Sequence, residues 1–375
     1  MTQLKKSSFF YGWVVLGFGF MALFATLGIR NSFGAYVTLW EDTFEVSRTM
    51  VASISTLSLA VYGLGQPLAG RLMDRWGGRI VLSLSLVLIG LSLMLSSFAT
   101  QYWQLLILYG VFVSLGAAGA SNVTAIALVS KWFVKKQGLA MGLVLAGMAA
   151  GPLVLVPLTM YLIETIDWRW TLFCIGIGTG AVLAPLTYLF VRSHPKDMGI
   201  TPYGAEGNDG PENDQKVSKA SSPHPSIHRE MGVKEMLTNR LFWMLAVPFF
   251  ICGFTDLGLI FTHLIPYVEE KGFSTGLISA GFSVIATFNL MGTVASGYLA
   301  DRMHRGRLLA MIYAFRGLTF ILLFMVDSAS LFILFALLFG LTEVAAIAPG
   351  SSLSAHLFGQ TSVGFVFGVI SLCHQ

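Results

Sequence analysis

The chain has 375 residues, 55% of them hydrophobic and 11% charged, with a formal net charge of +4. Soluble domains carry about 25% charged residues, and a mean hydropathy of +0.73 therefore excludes an ordinary water-soluble globule. The basic residues sit in short clusters between apolar runs, a distribution that gives no nucleic-acid surface.

Apolar runs of about 20 residues recur along the chain, the length a helix needs to cross hydrocarbon. In chain order, spans are predicted at Phe10–Arg30, Val51–Gly70, Ile80–Phe98, Trp103–Val129, Gly138–Ile163 and Trp170–Val191. They continue at Leu241–His263, Gly276–Leu299, Leu308–Val326, Leu331–Ala348 and from Val363 onward. Only helices satisfy every backbone group within such a segment, so the fold class is an all-α polytopic membrane protein. The pattern gives ten complete transmembrane helices and part of an eleventh. The longest polar stretch, Ser193–Asn239, scatters Pro, Gly, Ser and His without apolar periodicity. It reads as a cytoplasmic linker, disordered in part. The predicted organisation is an N-terminal six-helix bundle over 1–192, a linker over 193–239 and an incomplete C-terminal bundle over 240–375.

Lys and Arg set the orientation. With the N-terminus inside, the inner loops hold Arg71, Arg75, Arg79, Lys131, Lys135, Lys136, Arg302, Arg305 and Arg307, besides several in the linker. The outer loops hold only Arg48, Arg169 and Lys271. The expected location is a cell inner membrane, with a cytoplasmic N-terminus and lipid on all sides. Met1–Phe10 is short and basic, and the run after it is long enough to span, so no cleaved signal is read there. Cys174, Cys252 and Cys373 are far apart in apolar runs and read as small hydrophobes. Neither a metal nor a cofactor is expected.

Two loops repeat a signature. Gly70–Arg79 reads GRLMDRWGGR and Gly297–Arg307 reads GYLADRMHRGR, each with Gly-x-x-x-Asp-Arg. Gly70, Asp74, Arg75, Gly77 and Arg79 thus answer to Gly297, Asp301 and Arg302 in a duplicated bundle. The glycines permit close helix approach, the aspartates can accept hydrogen bonds at a helix N-terminus, and the arginines hold the loop at the headgroups. The pattern resembles the loop signature of the major facilitator superfamily, over the whole chain. Within it, Tyr11–Trp13, Arg30–Tyr36 (RNSFGAY), Ser47–Arg48 and Trp132–Pro152 resemble the branch of monocarboxylate porters and oxalate/formate exchangers. That resemblance implies a two-bundle transporter, expected to be monomeric, from a parent of twelve helices of which this sequence stops partway through the eleventh. Porters of lactate-like acids carry Asp-x-x-x-Arg in the eighth helix; here those positions are Asn289 and Thr293, so that pair's mechanism does not carry over.

A charge at the bilayer centre costs about 2.5–3.5 kcal/mol on insertion scales, so each one calls for a reason. Arg30 lies about 28 Å along its helix from Tyr11. It reads either as a snorkelling interface arginine or as an anion anchor, and related porters place a cation about here. Asp256, about 22 Å from Leu241, reads as a proton- or ion-coupling carboxylate and partner of Arg30, or as the cap of a helix break. His263, two turns later on nearly the same face, is a weaker coupling candidate or a solvated surface residue. Arg316 and Glu343 fall at matching depths on adjacent antiparallel helices and are expected to pair as a structural brace. Tyr36, Asn122 and Asn289 are candidate substrate contacts or, for the asparagines, plain interhelical hydrogen bonds. Gly142, Gly147, Gly151 and Pro152 suggest close packing and a bend.

The function read from this set is secondary active transport of a small organic anion, monocarboxylate-like, with proton coupling left open. Export of drug-like amphiphiles and a non-transporting membrane sensor are the rivals. No HExxH, Gly-x-Ser-x-Gly or Walker loop occurs, so the reading is not an enzyme.

Overall fold

The computed structural model describes residues 10–205, 233–358 and 363–375; the basic N-terminal residues and the middle of the linker lie outside the described residues. Eleven helical rods follow in chain order. They are α1 (Gly12–Phe44), α2 (Arg48–Trp76), α3 (Gly78–Ser96), α4 (Tyr102–Trp132), α5 (Gln137–Ile166) and α6 (Trp168–Phe190). After the linker come α7 (Arg240–Ile260, continuing through Phe261–Glu270), α8 (Thr275–Ala300), α9 (Arg305–Phe324), α10 (Ala329–Phe358) and α11 (Val363–His374). Among the described residues the only strand-like pairing is an isolated bridge between Phe133 and Tyr203.

Nine of these rods are long and apolar enough to cross a membrane. The other two differ for separate reasons. The rod α2 runs for 29 residues but is more polar, because Ser58, Tyr62 and Gln66 lie buried along its inner face. The rod α11 has only 12 residues. The rods depart from regular α-helix in several places. Ser32–Tyr36 tightens to 3₁₀ geometry, and Leu108–Val113, Ile177–Leu183 and Phe254–Ile260 widen to π. Such turns shift the face presented by everything that follows.

Close packing within the first bundle follows the small residues. A Cβ added at Gly151 would come within 3.0 Å of Phe24 backbone atoms of α1, and one at Gly147 would meet Phe20. The two bundles touch through an analogous device. Backbone of α2 at Gly70 lies against backbone of α11 at Gly364, and α5 at Gly138 and Gly142 lies against α8 at Gly297. Side chains there would force the helices apart.

Beside each glycine contact, the aspartate of the loop signature reaches across to the other bundle. Asp301 accepts from the amides of Gly138 (2.6 Å) and Leu139 (2.9 Å), the first turn of α5. Asp74 accepts from the amide of Phe365 (3.1 Å), the first turn of α11. A carboxylate at a helix N-terminus meets both unpaired amides and the positive end of the helix dipole. The arginines of the signature divide: Arg71 crosses to the other bundle and lies over the ring of Phe365, whereas Arg79 and Arg302 stay with their own. Arg79 donates to the Tyr188 carbonyl at 2.7 Å and lies over the Tyr188 ring, and Arg302 lies over the ring of Tyr298. Gly77, at φ 78°, makes the turn between α2 and α3.

The start of the linker belongs to the first bundle. Tyr203 donates its amide to the Trp132 carbonyl at 2.8 Å, and its ring sits against Phe10 and Phe133.

The glycine contacts are testable. Gly70→Ala and Gly297→Ala should each cost roughly 1–3 kcal/mol, as overpacking does. Gly17→Ala, whose new methyl meets nothing within 4 Å, should be neutral. Melting curves of the three variants in detergent decide it: equal midpoints would show that the bundles do not depend on these contacts.

Candidate functional site

Two polar centres lie among the apolar helices, one in each bundle. In the second bundle the hub is Arg316 of α9, only 3% exposed. Its guanidinium forms an ion pair with Asp256 of α7 through Nη2. Through Nη1 it donates to Cys252 Sγ at 2.9 Å and to the backbone carbonyl of Glu343 at 3.3 Å. That carbonyl is free for a structural reason. The rod α10 leaves regular α-helix between Thr342 and Ile347, and only three-residue turns such as Glu343 N–H to Gly340 O (3.4 Å) span the gap. Arg316 therefore supplies positive charge to the negative end of the half-helix Ala329–Thr342.

This geometry corrects two expected pairings. Arg316 forms its direct ion pair with Asp256, with the Glu343 carboxylate nearby in the field of the guanidinium, and Asp256 consequently does not pair with Arg30. Matching depths did bring Arg316 and Glu343 together, but depth says nothing about which way a side chain turns around its helix, and the direct ion pair goes to Asp256. The expected alignment of His263 with Asp256 also fails. The π turn over Phe254–Ile260 contains Asp256 and rotates the residues that follow it, and His263 is exposed. The histidine beside Asp256 is His374 of α11, with Nε2 at 3.8 Å from Oδ2.

Cys252, Asp256 and His374 bring three potential metal-ligand atoms within 4.8 Å of one another. The Arg316 guanidinium already engages Asp256 and Cys252, and a metal ion would have to share that space with a fixed positive charge. Asn289 of α8 is buried, accepts from Thr293 Oγ1 at 3.1 Å and faces the carboxylate of Glu343. Charge missing from the eighth helix is thus supplied around it by α7, α9 and α10.

In the first bundle, Arg30 of α1 lies with its guanidinium carbon 3.7 Å from the centre of the Tyr62 ring of α2. Tyr109 of α4 stands close by, its hydroxyl donating to the carbonyl of Ile29 at 3.0 Å. Both tyrosines are buried. No acidic side chain among the described residues lies within ion-pair range of Arg30. Tyr36 stands on the far side of Tyr109, stacking on Trp40 with ring centres 5.3 Å apart, and Trp40 in turn packs edge-on against Tyr109 at 5.5 Å. Asn122 is buried at the start of the second half of α4. Sequence reading missed Tyr62, Tyr109, Cys252 and His374; a tyrosine inside an apolar run, at helical spacing from a glutamine such as Gln66, was the available signal. Two shallow surface grooves, one beside Trp76 and Leu84 and the other beside Met291 and Tyr298, contain none of these residues.

A many-spanning helical protein with two bundles, broken helices and charges held inside each bundle defines a membrane transporter. The profile of the Major Facilitator Superfamily matches residues 9–375, and the chain belongs to that family. Among curated relatives, monocarboxylate transporter 12 of Homo sapiens is 24% identical over 383 residues, covering 97% of this chain and 72% of the relative. The MFS-type transporter YcxA of Bacillus subtilis is 25% identical over 369 residues, covering 97% of this chain and 85% of that one. Among solved structures, the proton:xylose symporter XylE bound to 6-bromo-6-deoxy-D-glucose superposes with a TM-score of 0.72 at 14% identity. It covers 97% of this chain and 86% of its own, and it speaks for the fold alone.

The partner of Arg316 can be checked by double-mutant cycles on folded yield and melting. Arg316→Met alone should cost about 3–5 kcal/mol, since it leaves Asp256 buried without a counter-charge. Adding Asp256→Leu should restore much of this, whereas adding Glu343→Leu should not. Coupling of Arg316 to residue 343 in place of 256 would overturn the assignment.

Proposed function

We propose that the protein carries a small monocarboxylate-like anion across the membrane by alternating access, with Arg30 as the anchor of the carboxylate. The supporting observation is an arginine in the first bundle whose guanidinium is flanked by Tyr62 and Tyr109 and, among the described residues, by no acid. An arginine left without a counter-ion at membrane depth is costly, and a carboxylate would offset that cost through its two-pronged fit to guanidinium. The names of the curated relatives agree with this substrate class.

Coupling is assigned by charge balance. The buried polar centre of the second bundle holds two carboxylates, Asp256 and Glu343, against one guanidinium, and Arg316 pairs with Asp256. The negative charge left over is that of Glu343, whose side chain faces Asn289. A proton on Glu343 balances the centre, and its loss on the other side of the membrane completes a coupled cycle. The described contacts between bundles cluster where the signature loops lie.

Uptake and counterflow in proteoliposomes, over a panel of organic acids and pH values, test this reading. Arg30→Gln should abolish saturable uptake, and Arg30→Lys should weaken it about tenfold or more because the fork is lost. Retained uptake in Arg30→Gln would exclude the anchor. Glu343→Gln mimics the protonated state. It should exchange substrate for substrate yet lose accumulation driven by a pH gradient; unchanged pH dependence would move the coupling group elsewhere. For orientation, cysteines at Ser47 and Ser274 should react with impermeant reagents from outside intact cells, and protection of both would reverse the topology.

A further inference from the structure

The rod α4 is broken near its middle. Gly116–Gly119 ends the first half, Ala120 has φ −99° and ψ 33°, and Ser121 is extended at φ −86° and ψ 175°. A new half-helix, Asn122–Trp132, starts there. Its first backbone bond is Ala125 N–H to Ser121 O at 3.1 Å, so the amides of Asn122, Val123 and Thr124 stand ahead of the helix ladder. Eleven residues separate Ser121 from Trp132, which puts this turn about 16 Å from the end of the rod. In a hydrocarbon core of about 30 Å, that is near the middle.

The side chains at this turn are as unsatisfied as its amides. Ser121, the cap residue, makes no capping bond, and its Oγ is fully buried without a partner. Thr124 Oγ1, also at 0% exposure, has none. From α2, which packs against this half-helix, comes Gln66, again at 0% exposure. Its amide approaches Tyr62, but neither its oxygen nor its nitrogen completes a hydrogen bond. Thr26 of α1, one turn from Arg30 on the same face, carries another buried hydroxyl without a partner. Buried polar groups are almost always hydrogen-bonded. At the turn itself three amides and the hydroxyls of Ser121 and Thr124 stand at the positive end of a helix dipole, and α4 itself contains no Asp or Glu. In α10, the counterpart of α4 in the repeat, the break exposes a carbonyl and Arg316 meets it; the α4 break exposes amides, and no described side chain meets them.

We propose that the first turn of Asn122–Trp132 is a second anion station, nearer the membrane centre than Arg30, that takes the carboxylate of a small monocarboxylate. It rests on the anion-transport reading above and adds a step to it. The carboxylate leaves Arg30 and passes Thr26 and Gln66. It is then received by the amides of residues 122–124 with the hydroxyls of Ser121 and Thr124, as helix N-termini receive anions elsewhere.

The probe is sodium acetate, titrated against sodium chloride at constant ionic strength, with the purified protein in nanodiscs and thermal stabilisation as the readout. The double substitution Ser121→Ala/Thr124→Val should weaken acetate stabilisation at least tenfold, because hydrogen bonds to a charged group are lost. Thr124→Ser alone, which keeps the hydroxyl, should bind as the unmodified protein does. Should the double variant not fold, Asn122→Pro carries the test. Proline suits a first helical position after an extended residue and removes one donor amide, and it too should weaken acetate. Unchanged acetate affinity in the folded variants, with sensitivity to Arg30→Gln retained, would overturn the station and leave the Arg30 anchor standing. Loss on Ser121→Ala/Thr124→Val without loss on Arg30→Gln would support the station and reject the anchor. No acetate effect in any protein would reject both.

Discussion

Hydrocarbon offers no hydrogen bonds, so a backbone amide, carbonyl or charge that loses its partner inside a membrane keeps the full cost of desolvation, several kcal/mol for each group. The break in α10 and the starts of α5 and α11 show that constraint at work. The gap in α10 coincides with an arginine from α9 that takes the freed carbonyl and a carboxylate together. At the other ends of the bundles, unpaired amides that open α5 and α11 are met by Asp301 and Asp74. The break in α4 differs because its donors are buried and unmet, and that difference is what marks it as a place where a ligand supplies the missing acceptors.

The same constraint links the architecture to transport. A pair of helices can slide or part only if the groups exposed by parting find other partners. Between the bundles, glycine contacts and aspartate caps lie side by side at one end, so backbone packing and charge release together. Arg30 and Arg316 sit on opposite sides of this division, one without an acidic partner among the described residues and the other paired with Asp256.

Much of the fold was legible in the sequence because hydropathy and positive charge report directly on the surrounding lipid. Each predicted span corresponds to a rod, and even the polar character of α2 follows from Ser58, Tyr62 and Gln66. The duplicated loops announced two bundles. What the sequence did not convey was rotation about each helix axis. Arg316 and Glu343 share a depth, yet Arg316 turns toward Asp256; the π turn after Phe254 carries His263 away and leaves that place to His374, more than a hundred residues later. The breaks were hidden as well. Gly116–Ser121 is a run of small residues with no proline, indistinguishable from ordinary close-packing sequence. Tyr62 and Tyr109 were passed over because a phenol in an apolar run reads as core until a guanidinium is found on its face.

Tyr203 lies well past the last turn of α6, yet its backbone pairs with Trp132, Val134 and Lys135, and its ring shares a cluster with Phe10. Mechanically, then, the first bundle extends some way into what the sequence presents as connector. A protein engineer dividing the chain into two co-expressed pieces, or inserting a fluorescent reporter between them, has a natural seam after Ala205. A cut closer to α6 would detach a strap that holds the α4–α5 turn in place, the turn from which α5 begins and on which Asp301 closes.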